Sequence, residues 1–211
     1  MPRVRIRQHV NPLSAKYQKV IQCPEWPTVF AKPHQPLHLD IGCARGRFVE
    51  NLAQHSPEWN VLGVEIREPL VIEANLNRNR LNLENCYFLF GNINIKPDAF
   101  LANLPPNCLQ RVSIQFPDPW FKQRHSKRRV VQPDLVTAIA NALPPAGDVF
   151  LQSDVFVIAH EMKGFFLNQT QFQLGHQDPW LTENPLPIST ERGIACFNLK
   201  RPVYRCLFRR I

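Results

Sequence analysis

The stretch Pro36-Leu37-His38-Leu39-Asp40-Ile41-Gly42-Cys43-Ala44-Arg45-Gly46 decides how the rest of this 211-residue chain is read. Its first six residues make a short buried strand that ends on an acid, and a loop of small residues spaced G-x-A-x-G follows. A helix is expected from Arg47 to His55, so this stretch opens a strand-turn-helix unit. The same alternation runs onward. Strands are expected at 60–65, 86–90, 109–116, 148–152 and 171–174, with helices at 68–82, 133–143 and 154–168 between them. Residues 202–208 read as one more strand. Strands that alternate with helices at this spacing pair in parallel, because parallel neighbours need a crossover connection. The expected fold is therefore α/β, a single Rossmann-like domain with a mostly parallel sheet and helices on both faces.

Composition narrows the class further. At 24.4 kDa with 44% hydrophobic residues, the chain is long enough for one domain with a real core. No apolar run approaches the roughly 20 residues of a membrane helix. The amino terminus is basic but runs into polar residues and Pro12, unlike an export signal, so a cytoplasmic protein with no membrane role is expected. The six cysteines show no C-x-x-C pair and no nearby histidine pair, so they are read as reduced packing residues and no metal is expected. The 20 prolines punctuate turns and do not form a disordered tract.

The net charge of +8 is unevenly sorted. Residues 1–19, 111–129 and 192–211 together carry +16, which leaves −8 for everything between them. Basic segments on an acidic body suggest a polyanion surface, with RNA or DNA the first candidate. Solvated faces and tails would produce the same pattern.

Ligands of doubly wound sheets bind at the carboxyl ends of the strands. The first four strands here deliver Asp40, Glu65, Asn92 and Asp118 to that edge. Gly42 lets a ligand approach the backbone closely, although a tight strand-to-helix turn alone would use it equally well. Glu65 lies about 20 residues past the glycine loop, where a carboxylate commonly accepts hydrogen bonds from ribose hydroxyls. The loop is not the G-x-G-x-x-G of a nicotinamide enzyme. An acid before its first glycine suits a ligand with a cationic amino-acid end, and S-adenosylmethionine has one. Asn92 is placed to meet the adenine amine.

The most specific string is Gln115-Phe116-Pro117-Asp118-Pro119-Trp120-Phe121-Lys122-Gln123-Arg124-His125-Ser126-Lys127-Arg128-Arg129. Two prolines hold Asp118 on a rigid turn, Trp120 offers a flat face beside it, and five Lys/Arg follow within eight residues. Carboxylate, aromatic and cations together describe a nucleotide pocket on a phosphate-binding rim.

With Asp40-Ile41-Gly42-Cys43 and Gly91-Asn92, this string strongly resembles the bacterial tRNA (guanine-N7-)-methyltransferases, over almost the whole chain. The resemblance implies a seven-stranded class I methyltransferase domain over 31–211, with 1–30 as a basic amino-terminal arm. It implies methyl transfer from S-adenosylmethionine to N7 of a guanine in the tRNA variable loop, position 46. Matched residue by residue, it implies donor contacts at Asp40, Gly42, Glu65, Asn92 and Asp118. It implies tRNA contacts at Lys122, Asp154, Thr190 and Glu191, and Arg124, His125, Lys127, Arg128 and Arg129 belong to the same phosphate-facing loop. Asp154 also suits a helix cap. The chain departs from the family at Ala44, where a glycine is frequent, and at Gly193, where the family has an acid, so no substrate contact is carried over to 193. No obligate protein partner is expected.

Guanine N7 carries a lone pair and no proton, so attack on a sulfonium methyl needs no general base. Asp118 is accordingly expected to be the catalytic residue through positioning and charge, without taking a proton. His125 and His160 have no acid-base task in such a step. Two other readings remain open: a non-catalytic tRNA-binding protein on a methyltransferase fold, and an exocyclic-amine methyltransferase, whose Asp/Asn-Pro-Pro-aromatic turn this chain lacks.

Overall fold

The computed structural model describes residues 9–211. The cations Arg3, Arg5 and Arg7 of the expected basic arm lie outside the described residues. Seven strands form one sheet: β1 (Leu37–Ile41), β2 (Asn60–Glu65), β3 (Cys86–Phe90), β4 (Leu109–Gln115), β5 (Asp148–Ser153), β6 (Phe172–Leu174) and β7 (Tyr204–Arg210). Their spatial order is β3-β2-β1-β4-β5-β7-β6. The chain runs outward from β1 to β3 and returns to place β4 on the other side of β1. Strand order therefore reverses between β1 and β4, and a crevice opens there at the carboxyl ends.

Strands β1, β2 and β5 are buried at every residue, as near-continuous apolar runs covered on both faces must be. The covering helices are α1 (Arg47–His55), α2 (Glu68–Arg80), α3 (Pro97–Ala102), α4 (Pro133–Ala142), α5 (Phe156–Leu167) and α6 (Glu191–Asn198). Leu37, Leu39, Ile114, Leu135, Ile139 and Phe208 anchor the larger core cluster. Ile21, Val29 and Phe30 join that cluster, so the chain before β1 packs onto the domain.

Three features differ from the sequence reading. The last strand begins at Tyr204, two residues later than expected, and runs antiparallel between β5 and β6. The helix expected from 154 starts at Phe156, because Ser153 Oγ accepts from the Val155 N–H and turns the chain there. Helices α3 and α6 were not anticipated; both are short, six and eight residues, and carry too few turns for a clear apolar stripe.

Candidate active site

The glycine loop owes its shape to backbone conformation. Gly42 and Gly46 sit at φ +85° and +77°, and a Cβ on Gly46 would lie 2.5 Å from the Phe88 ring. Ala44 also adopts positive φ, +50°. Replacing glycine there costs roughly 1 kcal/mol of backbone strain, so the departure concerns conformation more than side-chain size.

Asp40, Gly42, Glu65, Asn92 and Asp118 all line one cavity of about 600 Å³ at the carboxyl edge. Asp40 is buried, and Ser113 Oγ and Gln115 Nε2 both donate to its Oδ1, at 2.5 and 3.1 Å. Burial pushes its carboxyl up to about 6, the nearby Glu65 charge adds to the rise, and the Ser113 and Gln115 donors oppose it. Glu65 is buried and fully engaged. Its Oε1 accepts from the Arg67 backbone N–H and Nε, and its Oε2 from the Ala44 N–H and Arg67 Nη2, all within 3.0 Å. Asn92 accepts from the Asn94 N–H at 3.1 Å and donates to the Pro12 carbonyl at 3.1 Å. Val10 and Pro12 join the cavity wall, so the segment before β1 closes over the strand ends.

Asp118 is exposed to the cavity mouth on a turn flanked by positive φ at Phe116 (+50°) and Trp120 (+38°). The His9 ring nitrogen Nδ1 lies 3.0 Å from its carboxylate. The Arg128 guanidinium stacks over the Trp120 ring at 4.9 Å, and His125 meets that ring edge-on at 5.6 Å. Lys122, just before a 3₁₀ turn (Gln123–Arg128), and Arg124 and Lys127 on it are exposed. Slight desolvation, and then the charges of Arg128, Arg124 and Lys122, lower the pKa of His125.

Several residues expected at the RNA surface have other roles. Arg129 is buried: its Nε and Nη2 donate to the Pro119 and Trp120 carbonyls, and its Nη1 pairs with Glu161. It buttresses the Asp118 turn from behind and cannot meet a phosphate there. Asp154 lies outside the cavity wall and caps no helix; it accepts from Arg192 at 2.5 Å. Thr190 and Glu191 do reach the cavity, where Thr190 Oγ1 caps α6 by accepting from the Gly193 N–H and Glu191 pairs with Arg47 at 2.6 Å. Gly193 is buried against Phe116, so the residue that replaces the family's acid packs inward. The carboxy-terminal cations divide as well. Arg209 binds Asp148 and Arg210 binds the Ala140 carbonyl at the far edge of the sheet, because an antiparallel β7 ends where the parallel strands begin.

A family model described as Putative methyltransferase matches residues 34–206. A tRNA (guanine-N(7)-)-methyltransferase of Synechocystis is 64% identical over 210 residues, covering 100% of this chain and 99% of that protein. This chain belongs to the tRNA (guanine-N(7)-)-methyltransferase family. The Microcystis aeruginosa member is 58% identical, covering 99% of both chains, and that of Thermosynechococcus vestitus is 50% identical, covering 98% of this chain and 95% of its own. The fold is shared more widely. An antibiotic-related methyltransferase superposes with TM-score 0.59 at 14% identity, covering 93% of this chain and 98% of its own. The aminoglycoside resistance methyltransferase NpmB1 superposes with TM-score 0.58 at 15% identity, covering 85% of this chain and 89% of its own.

Within this family member, sequence reasoning missed His38, Ser113, Arg67 and His9, and quoted Gln115 only as the start of a motif. Polar residues at 38, 113 and 115 inside otherwise apolar strands were the available signal for three of them. Nothing local marked His9 or Arg67.

Proposed function

We propose that this chain transfers the methyl group of S-adenosylmethionine to N7 of guanine 46 in the variable loop of tRNA. The convergence of Asp40, Glu65, Asn92 and Asp118 on one cavity, from four separate strand ends, supports that reading most strongly. S-adenosylmethionine, when bound, supplies an electrophilic methyl on a sulfonium. The residues present suit it. Asp40 is a buried acid for the α-ammonium end, and Glu65 offers a carboxylate for the ribose diol once the Arg67 guanidinium moves aside. Asn92 stands ready for the adenine edge at the end of β3.

On the other side of the cavity, Asp118 and Trp120 hold the guanine. The indole gives it a flat face, and the carboxylate offsets positive charge that grows on the purine as N7 is alkylated. N7 has no proton to lose, so the turn orients and stabilises without acting as a base. Lys122, Arg124, Lys127 and Arg128 then meet the RNA backbone near the target base. The reaction belongs to the cytoplasm, where tRNA is found. Among the described residues no helix is long and apolar enough to cross a membrane.

Incubation with labelled S-adenosylmethionine and unmodified tRNA, followed by nucleoside analysis, tests the assignment. 7-Methylguanosine is the expected product. N2-Methylguanosine would mean an exocyclic-amine enzyme, and tRNA binding without any methylated nucleoside would mean a binding protein.

A further inference from the structure

The carboxyl edge of the sheet carries a row of polar side chains on one face, where strands covered on both sides ordinarily carry apolar ones. Register makes them neighbours. Asp40 stands opposite Ser113, Gln115 opposite Gln152, and Gln152 opposite Arg205. Alternation along each strand puts His38 with Asp40 and Ser113 with Gln115 on that same face.

Two hydrogen-bonded chains run through this row and meet at Asp40. In one, His38 Nε2 lies 2.8 Å from Ser113 Oγ, which donates to Asp40 Oδ1 at 2.5 Å. In the other, Arg205 Nε donates to Gln152 Oε1 at 3.2 Å, Gln152 Nε2 to Gln115 Oε1 at 2.7 Å, and Gln115 Nε2 to Asp40 Oδ1 at 3.1 Å. Chemistry sets the direction of both. Arginine only donates, so Gln152 must present its oxygen to Arg205 and its amide to Gln115. The serine hydrogen is spent on Asp40, so His38 must carry its proton on Nε2. Burial, with Arg111 nearby, holds the His38 ring down to about 3 and therefore neutral.

Both chains end on Oδ1. Among the described residues no protein group donates to Oδ2, and Asp40 lines the cavity. A buried polar row costs free energy unless each member is partnered, and this one is partnered with every donor aimed at one carboxylate.

We propose that His38, Ser113, Gln115 and Gln152 are positioning residues that hold Asp40 ionised with Oδ2 presented to the α-ammonium of the methyl donor. The inference rests on the donor reading of the cavity given above. Burial and the Glu65 charge work against ionisation of Asp40, the Cys43 thiol beside the loop is itself uncharged because its pKa is raised, and the two donors are what oppose the rise. Removing one lets the carboxyl climb further, and donor affinity is lost at a higher pH.

Calorimetric titration between pH 5 and 7.5, with S-adenosylmethionine and with 5′-methylthioadenosine, which lacks the amino-acid end, tests this on the full chain. The unsubstituted protein should lose S-adenosylmethionine affinity as pH falls through about 6. Ser113→Ala should raise that midpoint by about one unit, a single lost hydrogen bond to a charged group, and so weaken S-adenosylmethionine about twofold at pH 7 and about tenfold at pH 5. Methylthioadenosine affinity should stay unchanged, Ser113→Thr should restore the profile, and Gln115→Leu should shift it in the same direction. Unchanged S-adenosylmethionine affinity and midpoint in both Ser113→Ala and Gln115→Leu, or equal losses for both ligands, would overturn the proposal. If the unsubstituted protein binds neither ligand, the donor reading itself falls and takes the proposal with it.

Discussion

Asp118 is held more firmly than an exposed acid usually is. Prolines bracket it, and the residues beyond them, Phe116 and Trp120, both sit in the left-handed region at a cost of about 1–3 kcal/mol each. The buried Arg129 fork secures the Pro119 and Trp120 carbonyls from behind. Such a turn keeps a carboxylate in place while its partner changes charge, which alkylation at N7 demands. Asp118→Asn keeps the shape and removes the charge. We expect turnover to fall about 10²- to 10³-fold, the scale of one lost electrostatic stabiliser, with donor affinity within about threefold of the original. Rate measurements at saturating donor, beside calorimetry, check both halves; full turnover in the Asn variant would show that the charge is not used.

The segments that flank the cavity differ in what they offer RNA. The loop after Trp120 exposes Lys122, Arg124 and Lys127 next to Arg128, which lines the cavity, whereas β7 carries Arg209 and Arg210 to the opposite edge and engages both with protein groups. Lys122→Ala with Lys127→Ala should weaken tRNA binding and reduce the slope of log affinity against log salt by about 1–2, roughly one per lost phosphate contact. Arg209→Gln should leave that slope unchanged. Filter binding across salt concentrations separates the two, and equal effects from both changes would mean that RNA wraps past the sheet edge. The difference between these segments was not legible in the sequence, where all three basic stretches looked alike. The elements themselves were: α1, β2 and β3 fall where apolar runs and turn residues placed them, because periodicity is a local signal. The direction of β7, the burial of Arg129 and the polar row under Asp40 all depend on partners far along the chain. The engagement of Glu65 by Arg67, only two residues on, is equally hidden, since a glutamate at a strand end reads the same whether its oxygens are open or occupied.

Across the whole molecule, sorted charge and sheet topology support one arrangement. The strand reversal between β1 and β4 opens the cavity, its acids suit a cationic donor, and the nearest exposed cations suit a polyanion. The surplus of +8 is less concentrated on the RNA side than the linear sequence suggests, because part of it closes the far edge of the sheet. On this arrangement, selection of one base is expected to come from the Asp118 turn, the loop after it and the residues before β1 that line the cavity. The most direct check uses an unmodified tRNA transcript treated with the protein and S-adenosylmethionine, then with borohydride and aniline, which cleave the strand at 7-methylguanine. A single break at guanine 46 of the variable loop is the expected result. Intact RNA, or breaks scattered over many guanines, would contradict it.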